Sequence, residues 1–238
     1  MNKDIFVKFI NKYYLGGEID KAKIVAEGNM ITTKATNDSH NLLCSVILND
    51  FTLDTGMYGI YNTSLLLKLI NVLEDTVDIN ITKKENIPTG LNINDNISNV
   101  EYVLADTNVI PTSPTLKQLP PPNVYLKLNS DIVTKYNKCF NALSDIDNVT
   151  LLTKDNNIHI VFGYATTNSN RISFKVNGDI TSDLKPISFN AKIFKEIITT
   201  NKDIIGDMEI SDKGLASIKY KDTLFTADYF LIASNLNK

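Results

Sequence analysis

The chain has 238 residues, 43% of them hydrophobic and 21% charged, with a formal net charge of −3. That composition suits a globular protein with material for one large or two ordinary domains, and the mild acidity excludes a generic nucleic-acid binder with a strongly basic surface. The charge is uneven: residues 1–110 carry nine lysines against fourteen acids, −5, and residues 111–238 carry fifteen lysines and arginines against thirteen acids, +2.

No run of eighteen apolar residues suggests a membrane span, and the opening MNKDIFVKFINKYYLGG lacks the apolar stretch and cleavage site of a signal peptide, so a cytoplasmic protein is expected. Residues 4–13 put Ile5, Phe6, Phe9, Ile10 and Tyr13 on one helical face, which Gly16 and Gly17 end. Residues 21–35 read as a hairpin turning at Glu27, Gly28 and Asn29, and 42–48 and 56–61 read as further strands. The last of these runs into YNTSLLLKLINVLED, residues 61–75, where Asn62 is a good N-cap and Leu65, Leu66, Leu69, Ile70 and Leu73 form the inward stripe. Strands are expected at 77–82, 91–93 and 100–104. Residues 111–122, PTSPTLKQLPPP, then hold five of the seven prolines and deny both helix interior and central strand, which predicts an extended connector.

Beyond the connector the order repeats. A strand at 124–128 precedes a helix capped by Ser130 or Asp131, with Ile132, Val133, Tyr136, Phe140 and Leu143 inward. Strands are expected at 149–153, 158–164, 171–176 and 186–189, followed by SFNAKIFKEIITTN, residues 188–201. Setting Asn190 against Asn62 places Ile193, Phe194, Ile197 and Ile198 opposite Leu65, Leu66, Leu69 and Ile70. A meander at 208–210, 215–220 and 224–233 closes the chain. The repetition predicts a duplicated α+β domain, 1–110 and 123–238, each with two helices packed on antiparallel sheet.

Opposite the inward stripes lie Lys8, Lys68, Lys135, Lys138, Lys192 and Lys195, with Lys12 at the edge of the first stripe. One lysine-bearing face is the ordinary solvated side of a helix. Four faces with the same bias point to loose, sequence-independent phosphate contact instead. Catalysis is not suggested. Cys44 and Cys139 lie far apart in apolar patterns and read as free buried thiols, His40 falls in a polar turn, and His159 alternates within a strand. With no phosphate-gripping glycine loop, nucleophile and base, or metal-ligand spacing, no catalytic residue, metal or cofactor is expected.

The runs IYNTSLLLKLINVLEDTVDINI, NVYLKLNSDIVTKYNKCFNALSDIDNVTLLTKDNNIHIVFGY and KGLASIKYKDTLFTADYFLIA resemble the sliding clamp of T4-type bacteriophages, the DNA polymerase processivity factor. The resemblance covers essentially the whole chain and rests on the order of elements and the helix patterns, since no short signature defines that family. It implies the DNA-clamp fold and a non-enzymatic, ring-forming homotrimer around double-stranded DNA, with sheets outside and helices inside. It further implies that the ring tethers the replicative DNA polymerase without sequence specificity, is loaded by an ATP-driven clamp loader, serves late-transcription machinery, and works in the host-cell cytoplasm. On this resemblance DNA contact is assigned to Lys8, Lys12, Lys68, Lys135, Lys138, Lys192 and Lys195. A partner-binding pocket is assigned to Ile110, Leu116 and Leu119 near the connector and to Tyr229, Phe230 and Leu231 of the last strand, the latter three reading equally well as strand core. The alternative is a structural or interaction protein of a phage, with the same duplicated fold and no DNA in its channel.

Overall fold

Each of the four described α-helices begins on an asparagine: α1 (Lys3–Tyr14) on Asn2, α2 (Thr63–Ile70) on Asn62, α3 (Ser130–Ala142) on Asn129 and α4 (Ala191–Thr200) on Asn190. The side-chain oxygens accept from the N–H groups of Asp4 at 2.7 Å, Leu65 at 2.7 Å, Ile132 at 3.0 Å and Ile193 at 2.9 Å, satisfying donors that a helix start leaves open. The cap of α3 is thus Asn129 and not the expected Ser130 or Asp131. Asn129 is still extended, with φ −105° and ψ 175°, whereas Ser130 already belongs to the helix.

The computed structural model describes residues 2–114, 116, 118–164 and 170–234. The chain divides into two units, one of residues 1–114 with 222–227 and one of residues 115–221 with 228–238.

In the first unit, β1 (Ala22–Glu27), β2 (Met30–Thr36), β3 (Leu42–Asn49) and β4 (Gly56–Ile60) form an antiparallel sheet in the order β4-β1-β2-β3. A second antiparallel sheet joins β5 (Asp78–Lys84), β6 (Ile87–Asn94) and β7 (Asn99–Val103). Alternation along β1 buries Ala22, Ile24 and Ala26, and α1, which lies against β3, has Phe6, Phe9, Ile10 and Tyr13 all buried. Phe6 stacks on Phe51 with ring centres 5.4 Å apart, and the Tyr13 hydroxyl lies 3.4 Å from the Thr63 hydroxyl at the first turn of α2. Residues 222–227 join this unit where the Asn49 N–H donates to the Leu224 carbonyl at 2.8 Å.

The stripe of α2 is narrower than its leucines suggest. Thr63, Leu66 and Ile70 are buried in the helix and Leu73 just after it, while Leu65 is 45% exposed and Leu69 half-buried. At 3.6 residues per turn, positions 63, 66, 70 and 73 share one line and 65 and 69 flank it. Hydrogen bonds from the Thr63 hydroxyl to the Asp20 carbonyl, 2.8 Å, and from the Ser64 N–H to the Asp20 carboxylate, 2.9 Å, fix that rotation. The loop after α2 closes on Asp95, whose carboxylate accepts from the N–H groups of Glu74 at 2.7 Å, Ile97 at 2.7 Å and Ser98 at 2.5 Å. These bonds hold its carboxyl below the ordinary aspartate value.

In the second unit, β8 (Val124–Leu128), β12 (Gly178–Ile180), β14 (Gly206–Ser211), β15 (Leu215–Lys221) and the later part of β16 (Phe225–Ile232) form one sheet in the order β12-β8-β14-β15-β16. The other sheet runs β11-β10-β9-β13, with β9 (Asn148–Lys154), β10 (Asn157–Phe162), β11 (Ile172–Val176) and β13 (Ile187–Asn190). The three-residue β12 was not expected, because it is too short to display alternation. Helices α3 and α4 lie against each other. Tyr136 of α3 packs between the rings of Phe162 and Phe194, each centre 5.0 Å away, and its hydroxyl donates to the Ala191 carbonyl at 2.9 Å. Ala191, Ile193, Phe194, Ile197 and Ile198 of α4 are all buried. Cys44 and Cys139 are free and buried, as expected.

Candidate nucleic-acid interface

Helices α1 and α2 each bury one stripe, and of the lysines assigned to DNA in this unit, Lys8 and Lys68 stay exposed. Lys68 stands in the last turn of α2, where the carbonyl end of the helix favours a cation. Lys12 does not share that surface. It is 5% exposed, with its amine 5.0 Å from the centre of the Phe225 ring, because the side chain follows the buried flank of α1. The assignment of Lys12 to phosphate contact is therefore corrected: its charge is spent inside the first unit.

The lysines of α3 and α4 separate into distinct settings. Lys135 borders a cleft of about 730 Å³ that also carries Lys127, Lys175, Asp131, Asp179, Asp207 and Glu209, so carboxylates outnumber ammonium groups there. Lys127 and Asp207 are ion-paired across β8 and β14. Lys138 instead borders a groove of about 450 Å³ between α3 and α4. Lys192 is exposed at the start of α4. Lys195 is half-buried, paired with Glu196 at 3.4 Å and held 5.2 Å from the centre of the Phe140 ring. The groove also brings in Lys202, which sequence reasoning missed: it lies just beyond the C-cap Asn201, where the helical periodicity used to assign faces has ended.

The residues expected to take a partner peptide divide in the same way. Ile110 is 2% exposed and approaches Gly59 in the first unit, and Tyr229 and Leu231 lie fully buried on the core side of β16. Those three are packing residues, unavailable to a ligand; for Tyr229 and Leu231 the cause is the alternation along β16, which turns only every second residue outward. Phe230 is half-buried on the outer side, and Leu116 and Leu119 are each 37% exposed. Leu119, Pro120 and Pro122 lie over the outer face of the second unit's sheet at Leu215 and Ser217, leaving a crevice of only about 10 Å³. On the same strand as Phe230, burial raises the Asp228 carboxyl above its ordinary value, opposed by nearby Lys219.

Among the described residues no group of three or more His, Cys, Asp or Glu side chains is arranged to hold a metal ion, and no helix is long and apolar enough to cross a membrane. His159 lies with one ring nitrogen 3.5 Å from the Ser173 hydroxyl on the neighbouring strand.

No protein-family model matches the sequence, and no curated protein matches it. Solved structures do. The Proliferating Cellular Nuclear Antigen of Entamoeba histolytica is 17% identical with a TM-score of 0.76, over 98% of this chain and 96% of that one. A. fulgidus PCNA, solved with the C-terminal region of FEN-1 bound, is 11% identical with a TM-score of 0.77, over 100% of this chain and 98% of that one. At such identities the likeness establishes the fold: an α+β architecture of the PCNA-type DNA clamp, spanning the chain from end to end.

Proposed function

We propose that this chain is a sliding clamp, whose copies join head to tail in a ring around duplex DNA and tether a DNA polymerase for processive synthesis. The observation that carries the reading is the whole-chain match to the clamp fold. The exposed Lys8, Lys68, Lys138 and Lys192 support it. Ammonium groups lining a hole attract phosphates over a screened range of about 8–10 Å and read no base, so a ring held by topology slides.

A head-to-tail contact closes a ring when its rotation closes. The edge strands β7 and β11 suit that contact: Asn99, Glu101 and Val103 are exposed along β7, and Ser173 and Lys175 along β11, so opposite charges are on offer. Partner proteins dock through a peptide, as the C-terminal region of FEN-1 does on A. fulgidus PCNA, and here the exposed Leu116 and Leu119 with the half-buried Phe230 are the apolar residues that receive it. The finer reading places the chain with the T4-type bacteriophage clamps, as a homotrimer loaded by an ATP-driven clamp loader, engaging late-transcription machinery in the host cytoplasm.

The test is processive synthesis on primed circular DNA with polymerase and loader present. Lys8→Glu, Lys138→Glu and Lys192→Glu combined should abolish long products while leaving the oligomer intact. Unchanged product length would favour the structural or interaction protein whose channel holds no DNA.

A further inference from the structure

Asparagine followed by glycine occurs once in the sequence, at Asn177 and Gly178. The pair lies where the chain passes from β11, at the edge of one sheet, to β12, at the edge of the other, and both residues are exposed. Packing demands the glycine, since a Cβ at 178 would stand 2.3 Å from the Tyr125 carbonyl oxygen and 2.7 Å from Cδ1 of Ile158. The Asn177 carboxamide makes no hydrogen bond among the described residues. The N–H of Gly178 is open as well. The Thr181 N–H donates to the Asn123 carbonyl at 2.9 Å, and bonded pairs between antiparallel strands recur at every second residue. Asp179 is therefore the residue bonded to Tyr125, and the Gly178 N–H turns away from β8.

We propose that Asn177 is a site of spontaneous deamidation, and that the charge it gains loosens the head-to-tail contact made through β11. The Gly178 nitrogen loses its proton to hydroxide and attacks Cγ of Asn177. The N–Cγ bond forms, the Cγ–Nδ2 bond breaks, and ammonia leaves with a proton returned by water, so hydroxide is regenerated. What remains is a neutral cyclic imide. Water then opens it at either carbonyl. Breaking the bond from the Gly178 nitrogen to Cγ gives aspartate on an ordinary backbone, whereas breaking the bond to the main-chain carbonyl carbon gives isoaspartate, whose backbone is a methylene longer. Either product carries a carboxylate where a neutral amide stood. Because glycine has no side chain, nothing at 178 screens the attacking nitrogen.

The same chemistry is withheld from Asn129, although the small Ser130 follows it. Its side-chain oxygen accepts from the Ile132 N–H at 3.0 Å as the cap of α3, which keeps the carboxamide from turning onto the Ser130 nitrogen. At 177 the new carboxylate joins Asp131, Asp179, Asp207 and Glu209 around the cleft and stands shortly after Lys175 in the chain. Lys175 is the exposed cation of β11, the charge that meets Glu101 of the neighbouring copy in the ring. A carboxylate beside it offsets the ammonium and repels Glu101. The loosening rests on the clamp reading, and the deamidation does not.

In the experiment, full-length wild type and Asn177→Gln are aged at neutral and mildly alkaline pH, then digested, mapped by mass spectrometry and assayed for isoaspartate by enzymatic methyl transfer. Glutamine must close a larger ring and is the resistant control. Wild type should convert at Asn177 to both products, about tenfold faster for each unit of pH in step with the ionised Gly178 nitrogen, while Asn129 stays intact. In sedimentation, freshly made Asn177→Asp should associate about threefold more weakly than fresh wild type, and aged Asn177→Gln should associate as it did when fresh. An Asn177 that survives ageing, or conversion of Asn129 at the same rate, would overturn the deamidation site and leave the clamp reading standing. Equal association of Asn177→Asp and wild type, both as trimers, would overturn the loosening. Fresh wild type that stays monomeric at high micromolar concentration would overturn the clamp reading and the loosening together, whatever the mass map shows at Asn177.

Discussion

At the scale of single residues, the asparagine caps and Asp95 are the side chains whose hydrogen bonds decide local structure. Asn62→Ala and Asn190→Ala each leave a helix-start N–H without its partner and should cost about 0.5–2 kcal/mol in urea unfolding. Asp95 makes a prediction in pH. Its carboxyl is held below the ordinary value in the folded chain, so its contribution is fully present above the unfolded-chain value of about 3.9 and fades as pH falls through the folded one. The difference in urea midpoint between wild type and Asp95→Asn should therefore be present at neutral pH and close as pH drops below about 4. A difference that persisted in acid would mean that the three N–H bonds to Asp95 do not depend on its charge.

At the scale of elements, α2 and α4 are equivalent in sequence and unequal in burial. Leu65 and Ile193 occupy the same position after their caps, yet Leu65 is 45% exposed and Ile193 only 3%. Ile193→Ala should cost about 2–5 kcal/mol and Leu65→Ala less than about 1 kcal/mol, read from denaturant midpoints. The repeat of apolar residues was legible because burial on one face forces it. The width of each stripe was not, because it follows from what packs beside the helix: α4 lies against both α3 and its sheet, while Asp20 fixes the rotation of α2. The partner-binding residues follow the same logic. Alternation placed Tyr229, Phe230 and Leu231 on a strand, and only the packed sheet decided that Phe230 is the one facing out.

At the scale of the whole molecule, the clamp reading requires association through sheet edges that a single chain leaves unpaired. Sedimentation should give a concentration-dependent trimer, and Glu101→Lys should weaken it through repulsion from Lys175 of the neighbouring copy, with Lys175→Glu restoring it in the double variant. A monomer at high micromolar concentration would count against the ring. Duplex binding should fall steeply with salt, since it depends on counterion release and not on base contacts. The likeness to PCNA structures at 17% and 11% identity has a physical ground: a core accepts many apolar side chains of suitable volume, so packing preserves the architecture while the sequence drifts.

The sequence by itself determined that the fold is α+β, that helices start on asparagines at positions 62 and 190, and that lysines stand opposite the buried stripes. These are local or periodic properties, set by propensity, capping and the burial of one face. Only the tertiary structure decided that Lys12 is enclosed beside Phe225, that Lys135 borders an acid-rich cleft, and that Lys202 meets Lys138 across a groove. Those outcomes depend on which elements become neighbours, and a lysine carries the same charge in the sequence whichever neighbour it receives.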